Sequence, residues 1–420
     1  MKTVDDFLMK IGMHPEMTDI SAVCQSFMRE MELGLAGEDS SLPMIPSFIS
    51  ANGSPEDDKP IIAIDAGGTN LRIGLVSFQQ GKPVVLQQES MPMPGSRGEI
   101  SAAEFFDLIA QCLLPLTEKS SSIAFCFSYP AEIFPDHDGK IICLNKEVRV
   151  RCAEGLLLGQ ELIKALRARG AENGFDFILL NDTAAGLMGG IAALGLKDYD
   201  GIAGLVLGTG SNTCYMERGE NIKKLANPSD MIINCESGIF NKLVRGESDI
   251  MTDMASDIPG DHQLEKMISG VYHGTVITNT LRLAAGEGLL SASFGSIREP
   301  FTPKQLDDFL LGQDNPVAAL CGDGDAETVK TIIDRSYERS AKLVCANIAA
   351  LCLHCDGGKT QERPFYVVAE GSSFHKSLLF RDKLNKYMDG FVKNTLGRHV
   401  SIVRAENSTL AGATLAALLN

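Results

Sequence analysis

Residues 61–76 read Ile-Ile-Ala-Ile-Asp-Ala-Gly-Gly-Thr-Asn-Leu-Arg-Ile-Gly-Leu-Val, and the rest of the chain is arranged around them. Ile61 to Ile64 is an apolar run with no charge before Asp65, the pattern of a buried strand. Gly67-Gly68 breaks the run, and Leu71 to Val76 resumes it with only Arg72 and Gly74 interposed. Strand, two-glycine turn and strand predict a hairpin. The glycines omit Cβ atoms at the turn, so backbone N–H groups can approach a bulky anion. Asp65 at the strand end can hold a hydrated divalent cation beside a phosphate, and Thr69, Asn70 and Arg72 add donors nearby. Taken alone, the stretch fits an ordinary tight hairpin with a capping Asp as well as it fits a phosphate site.

Composition bounds the reading. A chain of 420 residues is too long for one core, so two domains are expected. Hydrophobic residues at 44% and charged residues at 22% are those of a globular protein. With 38 basic against 54 acidic residues, the net charge of −16 repels nucleic acid and anionic membrane, but not a small phosphate ligand held by local donors. No apolar run approaches a membrane span, and Met1 to Asp6 lacks a basic-then-apolar signal pattern. A cytoplasmic enzyme without nucleic-acid or membrane partners is expected. The 11 cysteines are scattered through apolar segments and read as reduced core residues. Cys352-Leu-His-Cys355 closes a helix-like run, and no second pair answers it at zinc spacing. Oligomeric state is not legible, because Met and Phe on the N-terminal helices serve equally as core or interface.

Outward from the hairpin, residues 1–36 alternate at helical spacing, with a break near His14-Pro15. Gly37 to Pro60 reads as a connection anchored around Met44 to Ile49. Val84 to Gln87 predicts a strand, Ser101 caps a helix over 102–117, and Ser122 to Phe127 is a short buried strand leading into Ser128-Tyr129-Pro130. Strand Lys140 to Leu144, helix Leu156 to Arg169 and strand Phe175 to Leu180 follow. This alternation predicts an α/β fold. Asn181-Asp182-Thr183 then ends a buried strand and opens a small-residue helix, Ala184 to Leu194. That is where open α/β sheets place ligands, and equally where a plain N-cap belongs. Gly204 to Glu217 repeats the opening logic, with Gly208-Thr209-Gly210-Ser211-Asn212 as the turn. An acidic stretch to Asp261, helices around 262–285 and 326–355, a strand Phe365 to Ala369 ending in Glu370-Gly371-Ser372, and a last helix from Ser408-Thr409 complete the chain.

The opening stretch resembles the first phosphate motif of the sugar kinase, heat-shock ATPase and actin superfamily. With the rest, the chain resembles the hexokinase and glucokinase family from Ile61 to its end. Asp65-Ala-Gly-Gly-Thr-Asn-Leu-Arg is similar to that family's first phosphate motif, and Phe127-Ser128-Tyr129-Pro130 to its sugar segment. Leu180-Asn181-Asp182-Thr183 is similar to the segment carrying the catalytic Asp, and Gly208 to Asn212 to the second phosphate motif. Asn234-Cys235-Glu236-Ser237-Gly238 resembles a sugar-binding string, with Ser237 in place of tryptophan. Glu265-Lys266-Met267-Ile268-Ser269-Gly270 is nearly the family's own, and Glu370-Gly371-Ser372 stands at its adenosine segment. Asn145-Lys146 aligns with a Thr-Lys pair, the hydroxyl becoming an amide.

The resemblance implies a two-lobed actin-like (ribonuclease H-like) ATPase fold with a sugar cleft. The small lobe would hold 60–183 plus 406–420, and the large lobe 1–59 plus 184–405. It implies ATP-dependent phosphorylation of a hexose, most readily glucose, with Mg²⁺ and ATP bound and Asp182 as general base. Ser128, Asn145, Lys146, Asn181, Asn212, Glu236 and Glu265 would contact the sugar. Asp65 would hold Mg²⁺ through water. Gly67, Gly68, Thr69, Asn70 and Arg72, with Gly208, Thr209 and Gly210, would meet the phosphates. Gly371, Ser372, Ser408 and Thr409 would flank adenosine. A sugar-sensing protein without catalysis, or a kinase of another hexose such as fructose or mannose, is the alternative.

Overall fold

The computed structural model describes residues 3–420 apart from 69, 145–147, 173, 196–198, 372–373, 375–376 and 405–407. Thr69, Asn145, Lys146 and Ser372 therefore lie outside the described residues. Two mixed sheets organise the rest. The smaller runs in the order β10 (Asp176–Leu180), β6 (Ser122–Phe127), β2 (Ile61–Gly67), β3 (Asn70–Gln79), β4 (Lys82–Pro92). The larger runs β1 (Ile45–Pro46), β13 (Met231–Asn234), β12 (Ser211–Glu217), β11 (Gly201–Leu207), β14 (Phe365–Glu370), β15 (Val400–Arg404). Two short ribbons pair β5 (Ile100–Ser101) with β9 (Val150–Arg151), and β7 (Ala131–Ile133) with β8 (Gly139–Ile141).

The two sheets share one topology. In each, a hairpin leads into a third antiparallel strand, and two further strands lie parallel to the first. The glycine turns Gly67-Gly68 and Gly208–Gly210 join the first two strands in their respective sheets. The repeat noticed in the sequence is thus a repeat of architecture, with β1 added at the edge of the larger sheet. This is the two-lobed actin-like arrangement.

Helices fill the space between the sheets. Asp182–Leu194 packs on β11, β12 and β14, while Thr409–Leu419 packs on β2, β3 and β6. The two helices also pack on each other. Their crossing is so close that a Cβ at Gly412 would fall 1.9 Å from the carbonyl oxygen of Ala185. Only glycine fits there. Leu187, Met188, Leu410 and Leu415 from this layer join Ile61, Ala63, Ile202 and Val368 of both sheets in one buried cluster. Outside the smaller sheet, Phe105, Ile109, Leu162 and Leu166 close a second core. Outside the larger one, the helices Ile20–Ala36 and Asp325–His354 close the third. The N-terminal helices thus belong with the larger sheet. No helix among the described residues is long and apolar enough to cross a membrane.

Several elements differ from the sequence reading. β4 is longer than Val84 to Gln87, and the strand expected over 140–144 shrinks to Gly139–Ile141. The helices Glu247–Met254, Pro303–Leu310 and Leu378–Tyr387, and the strand β15, were not expected at all. Polar residues mask these helices, and β15 is a half-buried run without clean alternation.

Candidate active site

The tip of the first hairpin is strapped from the neighbouring strand. Ser128 N–H donates to the Ala66 carbonyl at 3.1 Å, and the Tyr129 hydroxyl donates to the Gly68 carbonyl at 2.7 Å. Asp65 pairs in register with Arg72 across the hairpin, whose Nη1 stands 3.6 Å from Asp65 Oδ2. Burial lifts the Asp65 carboxyl above its usual range; Arg72 opposes that rise and Asp182 adds to it.

Asp182 opens the helix behind β10, and it is not the cap. Asn181 takes that place, its side-chain oxygen accepting the Thr183 N–H at 2.8 Å. Asp182 Oδ1 accepts the same N–H at 2.7 Å and the Thr183 hydroxyl at 3.2 Å. A further hydrogen bond comes from Ser128 on the smaller sheet. Burial raises the Asp182 carboxyl above the ordinary value of 3.8, despite the hydrogen bonds that favour its charge.

From Thr183 a polar chain runs into the larger sheet. Asn212 Nδ2 lies 3.2 Å from the Thr183 hydroxyl, 2.8 Å from Asn234 Oδ1 and 3.3 Å from Glu236 Oε1. Asn234 Nδ2 also donates to Glu236 Oε1, at 2.6 Å. Glu236 sits at φ +51°, a left-handed conformation costing on the order of 1–3 kcal/mol in a non-glycine residue. Its carboxyl is raised by burial, and Asp182 and Glu265 raise it further, while Asn234 and His262 oppose the rise. Glu265, on the helix Gln263–Ile268, accepts the Ser211 N–H at 2.8 Å. It thereby touches the second glycine turn, whose Gly208 and Thr209 carbonyls accept from Gly270 and Val271 N–H at 2.8 and 3.4 Å.

Of the residues expected at the adenosine, Gly371 lies against the same turn. A Cβ at Gly371 would fall 2.3 Å from the Leu207 carbonyl oxygen. The Ser408 hydroxyl, at the start of the last helix, donates to Glu370 Oε1 at 3.2 Å, and Thr409 is that helix's first residue.

Two family models, both described as hexokinase, match residues 4–192 and 202–419. The chain belongs to the hexokinase family. It is 27% identical to the hexokinase of Schwanniomyces occidentalis, over 94% of this chain and 88% of that one. It is likewise 27% identical to hexokinase-2 of Candida albicans, over 95% of this chain and 88% of that one. Among solved structures, a hexokinase from Schistosoma mansoni complexed with glucose superposes with a TM-score of 0.78 at 22% identity, covering 99% of this chain and 98% of that one. This chain is therefore a hexokinase, an enzyme of ATP-dependent hexose phosphorylation.

Two residues beside this hexokinase's candidate site escaped the sequence reading. Glu370, the last residue of β14, has its carboxyl raised by burial, with Asp182 and Asp65 adding to the rise, so it shares their cleft. The quoted Glu370-Gly371-Ser372 string contained that signal. His262, at φ +48° before the Glu265 helix, lies near enough to Glu236 to oppose the rise of its carboxyl. Nothing local in the sequence marked it.

Proposed function

We propose that this hexokinase phosphorylates D-glucose to glucose 6-phosphate as the entry step of glycolysis, in the cytoplasm. The observation that carries the reading is the convergence on Asp182. A carboxylate on the connecting helix bonds Ser128 of one sheet and, through Thr183, reaches Asn212 of the other. Asp182 removes the proton from the primary hydroxyl of the sugar as it attacks the γ-phosphorus. Asn212, Asn234, Glu236 and Glu265 meet the ring hydroxyls from the larger sheet, and Ser128, with Asn145 and Lys146, meets them from the smaller. Asn181 spends its side-chain oxygen on the cap and turns its amide N–H₂ to Asp182, at the edge of the sugar site. A neutral polyol suits this set, because each buried amide or carboxylate that finds no hydroxyl penalises the wrong ligand.

The turns at Gly67-Gly68 and Gly208–Gly210 meet the nucleotide phosphates from opposite lobes, with Thr69, Asn70, Arg72 and Thr209 beside them. Gly371, Ser372, Ser408 and Thr409 flank adenosine. Asp182 raises the carboxyl pKa of Asp65, and Asp182 and Asp65 together raise that of Glu370. That cluster of carboxylates, offset at Asp65 by Arg72, fits Mg²⁺, held by Asp65 through water. When bound, the ion neutralises charge on the polyphosphate. The lobes divide at 60–183 plus 406–420 against 1–59 plus 184–405, in keeping with the packing of the last helix on the smaller sheet. The relative solved with glucose supports glucose as the sugar.

Coupled turnover of ATP against a panel of hexoses tests the reading. Glucose should give the highest kcat/KM, with 6-phosphate as product. A higher value for fructose or mannose would replace glucose in it. Glucose binding without turnover would point instead to a sugar sensor.

A further inference from the structure

Behind Glu265 lies a buried ionic cluster. Lys266 is 2% exposed, and its ammonium donates to Asp253 Oδ1 at 2.6 Å and to the Ile258 carbonyl at 2.6 Å. Asp253, on the helix Glu247–Met254, also accepts from Arg245 Nη1 at 2.8 Å and from the Gly260 N–H at 2.9 Å. Burial alone would raise the Asp253 carboxyl, but Lys266, Gly260 and Arg245 overcome it and hold it below 3.8. On the same helix Asp249 bonds the buried Arg339 of the long helix Asp325–His354. Helix Glu247–Met254 is thus bound on one side to the rigid core and on the other to Lys266.

The residues around Lys266 reach both ligand sites. Glu265 precedes it, and its carboxylate accepts the Ser211 N–H at 2.8 Å. Leu264 N–H donates to the Phe240 carbonyl at 3.1 Å, tying the helix to the segment that follows Glu236. Ser269 N–H returns to the Glu265 carbonyl, and Gly270 N–H donates to the Gly208 carbonyl, both at 2.8 Å. The segment 263–271 therefore grips the glycine turn at Gly208 and at Ser211 and presents Glu265 between them.

We propose that the Asp253–Lys266 pair is a positioning element that makes Glu265 and the Gly208–Gly210 turn one rigid unit, so that hexose binding tightens nucleotide binding. The inference rests on Glu265 as a sugar ligand and on this turn as a phosphate ligand. A buried ion pair is a weak stabiliser and is often replaceable by apolar residues. Its use here is geometric. Ordering by hexose at Glu265 passes through the Ser211 and Gly270 hydrogen bonds into the turn. Nucleotide then meets a turn already ordered, and the effect is reciprocal.

The test is ADP affinity by calorimetry, with and without saturating glucose. The wild-type protein is compared with Asp253→Asn/Lys266→Met, which removes both charges and so leaves neither uncompensated. Wild type should bind ADP about fivefold or more tightly with glucose present. The double variant should bind both ligands with that ratio near one. An equal ratio in a folded double variant, or no coupling in wild type, would overturn the proposal. Should the double variant not fold, hydrogen exchange on wild type with glucose alone decides. Slower exchange at Ser211, Gly270 and Val271 is expected, and unchanged exchange there overturns the proposal. Glu265→Gln serves as the control. An unchanged glucose KM in it would remove Glu265 from the sugar site, a failure of the functional reading that is distinguishable from loss of coupling.

Discussion

A Cβ placed on Gly210 would stand 2.6 Å from Oε2 of Glu265, the oxygen that accepts the Ser211 N–H. The Gly208–Gly210 turn and the Glu265 carboxylate are in contact, and any side chain at Gly210 must push Glu265 aside. Gly210→Ala is therefore expected to raise the glucose KM about tenfold or more, since an ångström of misplacement near the chemistry costs up to 10²-fold. Steady-state kinetics with varied glucose checks this. A glucose KM equal to wild type would show that Glu265 tolerates displacement.

The proposed sugar ligands come from both lobes, which demands movement. Ser128 follows β6 of the smaller sheet, while Asn212 lies on β12 and Glu236 follows β13 of the larger, with Glu265 on the helix Gln263–Ile268 beside it. One hexose gripped by both should draw the lobes together and exclude water from the reaction. Small-angle scattering should register a smaller radius of gyration on adding glucose. An identical profile at saturation would argue against closure.

How much of this the sequence could carry depended on locality. Both glycine hairpins were legible because apolar runs and turn glycines lie next to each other. Asp182 was legible because it follows a buried strand directly. The helix Glu247–Met254 was not, because its outward face carries Ile250, Met251 and Met254 while Asp249 and Asp253 point inward to cations. That inverts the pattern from which amphipathic helices are read. His262 and Glu370 join the site only by long-range folding, which no local periodicity encodes. The assignment of Asn181 as cap and Asp182 as the first residue of the helix likewise needed the backbone, since Asn and Asp cap equally well.

Away from the cleft, Glu217 is held by His354, the Tyr215 hydroxyl and Asn221 Nδ2, joining the end of β12 to the end of the long helix. Burial alone would raise its carboxyl, but these partners overcome it and hold it below 4.5. Because the folded value lies below the unfolded one, its contribution is complete above pH 4.5 and vanishes as pH falls through the folded value. Glu217→Gln should lose about 1–3 kcal/mol at pH 7, as expected when hydrogen bonds to a buried carboxylate are removed. Urea unfolding should show that deficit narrowing below pH 4.5, where wild type also loses the interaction. A deficit that stays constant with pH would mean that the carboxylate charge contributes nothing.

The central claim is that Asp182 is the base. Asn181 already caps the helix, so Asp182→Asn removes neither the cap nor the volume, and fold and glucose binding should survive. Without general-base assistance kcat should fall by about 10²–10⁴-fold, with little change in glucose affinity. The decisive measurement is single-turnover phosphoryl transfer by Asp182→Asn at saturating glucose and ATP. A fall of that size supports the account, and a rate near wild type contradicts it.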